Sequence, residues 1–518
     1  MNNKIIGFAI SKSKINCDDI DIFNSGLSIK SFINLGYNIY LWGIGNLNKC
    51  YLDKNTISLS FPLYKKLDDR NVLIKFNDNS IIIENDWLGS IPIYYNKKLK
   101  IISTLYKKTY DVNNMTLNIS GLYNYLDFGY VSFEKTPVDN VQLMRYFSKL
   151  IINEDIRRVF KDDIYMKKIS INKRKSTSDL VVKTINKYIK IPEKKIKGNI
   201  IIPTSGGFDS RFLNSLISNK ERIRAFTYGI INDKYKPSSE IVNAKYVTEK
   251  LNIWWKNIYL SKYLVYYLKW YQLYGISTHL HGMYHIEFYQ KIRKMLHKKN
   301  NMSVLSGIYG DAWSGNINPI NILSLSDVWK IGYSHDLRIN PSILKTKPKI
   351  QDYKKFYSDF KKHLLHRNKN LLIFIRIKFS LLSYLMTIPD YFGMPSWSPF
   401  LSFNNVSKIL ALPNNLFENR EWQKNYFRMF GIYPEDKNLS VSNDNTLDFD
   451  AVCSHPLPNI NIFRLSRYIK LGYLLRTFLG YEMLKLFKNR RYFKYFNDIS
   501  ILKSLDLLLL ENEKTKKY

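Results

Sequence analysis

Six consecutive residues, Ser205-Gly206-Gly207-Phe208-Asp209-Ser210, combine the groups needed to hold an anion and a metal ion side by side. They follow the apolar run Asn199-Ile200-Ile201-Ile202-Pro203-Thr204 and lead into Arg211-Phe212-Leu213-Asn214-Ser215-Leu216. β-branched residues, a small polar turn and an apolar-periodic segment read as strand, loop and helix. Two glycines allow a sharp turn and a close approach of backbone to ligand. The helix that opens there aims unpaired N–H groups and the positive end of its dipole at the loop, which suits phosphate. Asp209 would repel that phosphate unless a cation lay between them, so its presence points to Mg²⁺. No Gly-Lys-Ser or Gly-Lys-Thr follows the glycines, which separates this loop from a Walker A motif.

The rest of the chain predicts elements that could present such a loop. Residues 1 to about 170 carry short alternating runs such as Asn38-Ile39-Tyr40-Leu41-Trp42 and Asn71-Val72-Leu73-Ile74-Lys75-Phe76. Asn77-Asp78-Asn79 and Asn96-Lys97-Lys98 read as turns between strands, so this part is β-rich. Ser176-Thr177-Ser178-Asp179 caps a predicted helix with Leu180, Val181, Ile185, Tyr188 and Ile189 at helical spacing, and the basic stretch Lys190 to Lys197 reads as a solvated linker. From Ile200 the pattern becomes strands separated by longer helical segments: Arg224 to Gly229 and Ser303 to Gly307 as strands, Ser239 to Leu251 as a helix. That alternation implies a parallel sheet covered by helices, with ligands beyond the carboxyl ends of its strands. The loops after Thr204, Tyr228 and Leu305 would then share one crevice.

A chain of 518 residues predicts two or three domains. Its 45% hydrophobic content excludes disorder. The formal charge of +36 invites a nucleic-acid partner, but the lysines are spread along the whole chain and no Arg-rich stripe or RNA-binding motif stands out, so that class is disfavoured. Cys17, Cys50 and Cys453 form neither a disulfide framework nor a CxxC pair, which fits a reducing cytoplasm. The first residues lack a signal-peptide core, and no uninterrupted apolar run predicts a transmembrane segment.

The run Ser205–Ser210 resembles the pyrophosphate-binding loop of the N-type ATP pyrophosphatases. Together with further segments in the same order, it resembles the class B asparagine synthetase family. Glu84-Asn85-Asp86-Trp87-Leu88-Gly89-Ser90-Ile91-Pro92-Ile93-Tyr94-Tyr95 is similar to a strand–turn–strand of that family's glutaminase half, and Tyr228-Gly229 with Ser239-Glu240 and Ala244 to its adenosine-side strand and helix. Leu305-Ser306-Gly307-Ile308-Tyr309-Gly310-Asp311-Ala312-Trp313-Ser314-Gly315 is similar to its second acidic loop, with Ile308 and Ala312 where relatives carry Glu. Ser398-Pro399-Phe400-Leu401, with Ser402 in place of Asp, and Lys424-Asn425-Tyr426-Phe427-Arg428 continue the match.

This resemblance implies an α+β, Ntn-hydrolase-like β-sandwich over residues 1–175. It implies an α/β doubly wound, adenine nucleotide α-hydrolase-like synthetase domain over 176–460, with a helical extension over 461–518. It assigns ATP binding to Ser205, Gly206, Gly207, Asp209, Ser210, Tyr228, Gly229, Gly307 and Gly310, and Mg²⁺ to Asp209 and Asp311. Lys437 in Pro434-Glu435-Asp436-Lys437, with Lys424 second, would reach the reacting phosphate. The glutaminase nucleophile of relatives is a cysteine at the position held here by Asn2, and an amide cannot serve, so the N-terminal domain is expected to be a scaffold. The expected reaction joins ATP and a carboxylate on a small molecule, sugar or peptide to an amine, releasing AMP and pyrophosphate. The alternatives are a non-catalytic nucleotide-binding or assembly protein on the same fold and, less favoured, a tRNA-modifying enzyme.

Two other features are weighed on their residues. His279-x-His281-x-x-x-His285 has a spacing a metal could use, but no paired carboxylate or cysteine accompanies it, and pocket-lining or packing histidines are favoured over zinc. The stretch from Phe463 to Phe496 is basic and aromatic, and packing on the synthetase domain is favoured there over contact with an anionic membrane surface.

Overall fold

The computed structural model describes residues 2–63, 66–171, 176–229, 237–280, 282–296, 301–317, 320–332, 337–348, 351–433 and 447–515. Three sheets and a set of helices make a mixed α/β architecture. The first sheet holds β1 (Lys4–Ser11), β2 (Ser28–Asn34), β3 (Tyr37–Ile44), β8 (Tyr94–Asn96), β9 (Ile101–Ser103) and β10 (Val141–Leu143), in the order β10-β8-β9-β1-β3-β2. The second holds β4 (Tyr51–Asp53), β5 (Thr56–Ser58), β6 (Val72–Asn77), β7 (Ser80–Asn85), β11 (Ser148–Ile152) and β12 (Ile156–Phe160), in the order β12-β11-β7-β6-β5-β4. Every strand pair in both sheets is antiparallel.

These two sheets face each other over one core that includes Ile5, Phe8, Ile39, Leu41, Ile74, Ile83 and Leu150. Alternating side chains of β1, such as Ile6 and Ala9, point the other way into a second core shared with the rest of the chain. β1 is therefore buried on both faces, which explains why its central residues Ile5 to Ile10 read as a continuous apolar run instead of alternating. Helix α1 (Ile119–Phe128) lies in the connection between β9 and β10 of the first sheet, capped by Asn118, whose side chain accepts from Gly121 N.

The third sheet is parallel throughout, with β13 (Asn199–Pro203), β14 (Ile223–Tyr228), β15 (Trp255–Ile258), β16 (Met302–Leu305) and β17 (Ser396–Trp397) in the order β15-β14-β13-β16-β17. Its strand order reverses at β13, so the loops leaving β13 and β16 open side by side at the carboxyl edge. Around it run α2 (Ser178–Lys195), α3 (Phe208–Leu216), α4 (Ser239–Lys250), α5 (Tyr284–Met295), α6 (Gly310–Trp313), α7 (Gln351–Leu364), α8 (Arg367–Leu382), α9 (Tyr384–Tyr391), α10 (Glu421–Met429), α11 (Leu447–Ser454), α12 (Leu471–Phe487) and α13 (Lys494–Thr515).

The Thr177 hydroxyl accepts from Leu180 N, so the predicted cap of α2 holds within a residue. The basic stretch after it is not a linker. α2 runs through Pro192 to Lys195, burying Ile189, Pro192 and Glu193, while the lysines favour its negative C-terminal end.

The two antiparallel sheets and the parallel one are clamped by a buried ionic cluster. Lys4 Nζ on β1 donates to both oxygens of Asp390 at 2.7 and 2.8 Å, and Asp390 also accepts from Ser396 N and from Arg70 Nη1. Asn2 adds a second tie: its amide donates to Lys197 O and Met302 O and accepts from Lys197 N.

Helices α12 and α13 are integral to the molecule. α13 contributes Ile501, Leu502, Leu505 and Leu508 to the shared core. The Tyr125 hydroxyl of α1 donates to Ile501 O, and Glu511 accepts from Lys107 and from Tyr271. One helical stretch, Arg367–Tyr391, is long and apolar enough to cross a bilayer, but 72% of its most apolar window is buried inside the molecule. It is a central packing element here, and it carries Arg376 and Lys378.

Candidate functional site

The crevice at the β13–β16 junction is built from two glycine turns that grip one carboxylate. After β13, Gly206 takes a left-handed conformation at φ +70°, and a Cβ there would lie 2.4 Å from that of Asn243 on α4. Only glycine lets the loop pass under α4 while turning into α3. α3 starts at Phe208 with no side-chain cap, so the N–H groups of its first turn face the crevice without a competing side chain. Ser205 Oγ accepts from Gly207 N at 3.3 Å and Ser210 Oγ donates to Gly207 O at 3.2 Å, which fixes the turn. Asn214 donates to Thr204 Oγ1 and Ser210 O, tying strand end to helix.

Asp209, in the first turn of α3, reaches across to the second glycine turn. A Cβ on Gly310 would lie 2.4 Å from Asp209 Cγ, and one on Gly307 3.3 Å from Asp209 Cβ, so the glycines after β16 admit the Asp209 side chain. Gly310 starts α6, which carries Asp311 one residue on. Its Tyr309 is left-handed at φ +58°, which sharpens the entry into the helix, and its ring packs on Phe379 of α8 at 4.8 Å.

The electrostatics follow from that geometry. Burial pushes the Asp209 carboxyl up to about 7, and the charge of Asp311 pushes the same way, while Arg420 and a hydrogen bond from Gln423 oppose. Arg420 Nη1 stands 3.9 Å from Asp209 Oδ2, and Gln423 Nε2 donates to Oδ1 at 3.3 Å. The Asp209 side chain keeps 16% exposure, an edge open to a ligand, so its burial is incomplete and the penalty on its charge is tempered. Lys378 on α8 lies near enough to Asp311 to feel its charge: burial pulls its ammonium down to about 8, and the charge of Asp311 pulls it back up. Two carboxylates and two cations thus converge on the crevice mouth.

Two carboxylates are too few to fill a metal's coordination sphere. Among the described residues no group of three or more His, Cys, Asp or Glu side chains could hold a metal ion. They do fit Mg²⁺, which takes one or two protein carboxylates and completes its octahedron with water and phosphate oxygens. Gln423 adds an acceptor: its Oε1 is buried beside Asp209 and has no hydrogen-bond partner among the described residues. An oxygen so placed suits a metal-bound water.

The sequence residues distribute unevenly around this mouth. Ser205, Gly206, Gly207, Asp209, Ser210, Gly307, Gly310 and Asp311 come together. Gly229 and Tyr228 lie at the end of the adjacent strand, but the space that a side chain on Gly229 would need is filled by Ile241 of α4. Its missing Cβ serves packing, and Tyr228 is enclosed by Tyr284, His285 and Phe288. Lys424 does not face the carboxylates: its ammonium lies 2.8 Å from Glu421 one turn back on α10. Arg420 and Gln423 reach Asp209 instead. Lys437 lies outside the described residues, as does His281. His285 stacks among aromatic rings, and His279 packs against Gly129, as expected of core histidines.

Three functional candidates escaped the sequence: Lys378, Arg420 and Gln423. Lys378 had a signal, since it and Arg376 are the two charged residues in the mostly apolar run Leu371 to Leu382, and a cation there must find an anion. Arg376 finds Asp163. Arg420 and Gln423 had none, because their direction depends on left-handed residues at Asn419 and Arg420.

One contact of the N-terminal sandwich with the site runs through an indole ring. Trp87, in the turn after Asp86, stacks on Trp313 of α6 at 5.9 Å and donates to Leu401 O at 2.8 Å. Asp86 holds that turn by accepting from Leu88 N, Ser90 N, Ser90 Oγ and Asn71 N. The segments Glu84–Tyr95, Leu305–Gly315 and Ser398–Leu401 therefore form one contiguous support behind Asp311.

No protein-family model matches this chain, and no curated protein matches it.

Proposed function

We propose that the chain is an ATP-dependent, AMP-forming amide ligase of the asparagine-synthetase type, built from an adenine nucleotide α-hydrolase-like domain on an Ntn-hydrolase-like scaffold and working in the cytoplasm. The observation that carries this reading is the approach of Asp209 and Asp311 from separate loops at the strand-order reversal, close enough for one charge to raise the pKa of the other. Two acidic side chains brought together from separate loops at the carboxyl edge of a parallel sheet are a candidate cation site.

In this reading the Ser205–Ser210 turn and the first N–H groups of α3 cradle the β- and γ-phosphates of ATP. Mg²⁺ held by Asp209 and Asp311 would neutralise phosphate charge. A substrate carboxylate attacks the α-phosphorus, the bond to the bridging oxygen breaks, and pyrophosphate leaves with the negative charge. Arg420 beside Asp209 and Lys378 near Asp311 stabilise that charge. An amine, as ammonia or as part of the substrate, then attacks the acyl carbon, and AMP departs. Asn2 is occupied by backbone hydrogen bonds, which supports a scaffold role for the sandwich, with Trp87 bracing α6.

A second reading, a nucleotide-binding protein without turnover, draws on Ile308 and Ala312. Both are buried in the core beside the site, where relatives of the resembled family carry carboxylates. Pyrophosphate and AMP formation from ATP, assayed with a panel of carboxylates and ammonia, separates the two. The ligase reading expects AMP, not ADP, and a loss of about 10²–10³ in kcat for Lys378→Met. Metal-dependent ATP binding with no AMP on any acceptor leaves only the binding protein.

A further inference from the structure

We propose that α12 and the turn after it seat the protein on an anionic lipid surface. Leu471, Leu475 and Leu479 follow one another at four-residue spacing along α12, and Leu486 continues the same face. All four are exposed, Leu479 by 60% and Leu486 by 73%, and Phe487 beside them by 62%. The opposite face, Leu474, Thr477, Tyr481 and Leu484, is buried against the molecule. The helix is therefore apolar on both sides, and only one side has a protein partner among the described residues. An apolar strip of this kind on an otherwise charged surface marks an interaction site.

Charge selects the partner. Lys470, Arg476, Lys488, Arg490, Arg491 and Lys494 are all exposed around the strip. The acidic residue on this face, Glu482, is bound to Lys485 at 2.6 Å and to Asn459. A second copy of the chain docked strip to strip would press one cation cluster on another. A lipid bilayer with anionic headgroups takes the leucines into its apolar boundary and the cations into its surface charge. The net charge of +36 attracts the whole molecule toward such a surface, and the strip supplies the orientation. Because α13 fixes α12 to α1 and the shared core, this placement needs no new folding.

The test is vesicle flotation of the full chain with phosphatidylcholine alone and with about one third phosphatidylglycerol. Binding is expected to the anionic vesicles only, and to fall at least tenfold in the triple variant Leu475→Ser/Leu479→Ser/Leu486→Ser, whose thermal midpoint stays at the wild-type value because the three side chains are exposed. The variant Lys488→Ser/Arg490→Ser/Arg491→Ser is expected to weaken binding and its salt dependence together. Equal binding of wild type and leucine variant would mean that bulk charge alone acts, and would overturn the proposal. So would absence of vesicle binding in a protein that self-associates through the same leucines. None of these residues belongs to the Asp209 crevice, so the outcome is independent of the ligase reading.

Discussion

Asp209→Asn is expected to abolish pyrophosphate release while making the ligand-free protein more stable at pH 8. The two effects share one cause. Burial is the largest influence on this carboxyl and raises it to about 7, so at pH 8 the folded protein holds a charge that its surroundings disfavour. A raised carboxyl contributes stability that is complete below its unfolded value near 4 and lost as pH rises through the folded value near 7. The amide keeps the shape and removes the charge. We expect a gain of about 1–3 kcal/mol at pH 8, smaller at pH 5 and vanishing only below about pH 4, since the open edge of the side chain softens the penalty. The loss of Arg420's attraction is already counted, because the net shift is upward despite it. Denaturant melts at pH 5 and pH 8, run beside the pyrophosphate assay, check both halves. A destabilised Asp209→Asn at pH 8 would mean that the carboxylate is a structural ion-pair partner of Arg420.

The largest stability loss is expected at Asp390. Burial and the charge of Arg70 pull the Lys4 ammonium down to about 7, and Asp390 with its hydrogen bonds holds it up against them. Asp390→Asn leaves Lys4 and Arg70 facing each other in the interior with no counter-charge. The expected cost is about 3–5 kcal/mol, the range for a buried pair deprived of one member. It falls at the joint between β1 and the hairpin of α9 and β17, so the sandwich and the parallel sheet should lose their shared melting transition. The double variant Lys4→Met/Asp390→Asn should recover part of the loss, because it removes the more deeply buried of the two stranded cations and leaves only Arg70 without its partner. Equal destabilisation in single and double variants would place the cost in the hydrogen bonds to Ser396 instead.

Much of this architecture was legible in the chain because it follows from period and turn chemistry. The alternation in Asn71–Phe76 became β6, and Asn77-Asp78-Asn79 its turn to β7. Ile200, Ile201 and Ile202 became the centre of the parallel sheet, and glycines at 206 and 310 marked the turns. What stayed hidden depended on tertiary direction. The glycines at 206 and 229 look like ligand contacts in sequence, yet α4 occupies the space beside both. Lys424 looks like a phosphate ligand in a chain with many lysines, yet Glu421 three residues earlier claims it. Arg420 lies one turn before it and enters the site because the backbone is left-handed there. The basic run after Ile189 resembled a linker, yet Pro192 and Glu193 had core positions to fill, Glu193 by accepting from Ser218 N and Asn219 N. Local sequence sets element type; which face of an element meets the crevice is decided by packing partners far along the chain.

The central claim is that Asp209 and Asp311 share one divalent cation with a bound triphosphate. Titration of the full chain with Mn²⁺, followed by electron paramagnetic resonance with and without a non-hydrolysable ATP analogue, tests it most directly. The account predicts one tightly held Mn²⁺ per chain in the presence of the analogue, weaker at pH 6 than at pH 8 because Asp209 must lose its proton, and lost alike in Asp209→Asn and Asp311→Asn. Full Mn²⁺ occupancy in either variant, or none in the wild type with nucleotide, would contradict it.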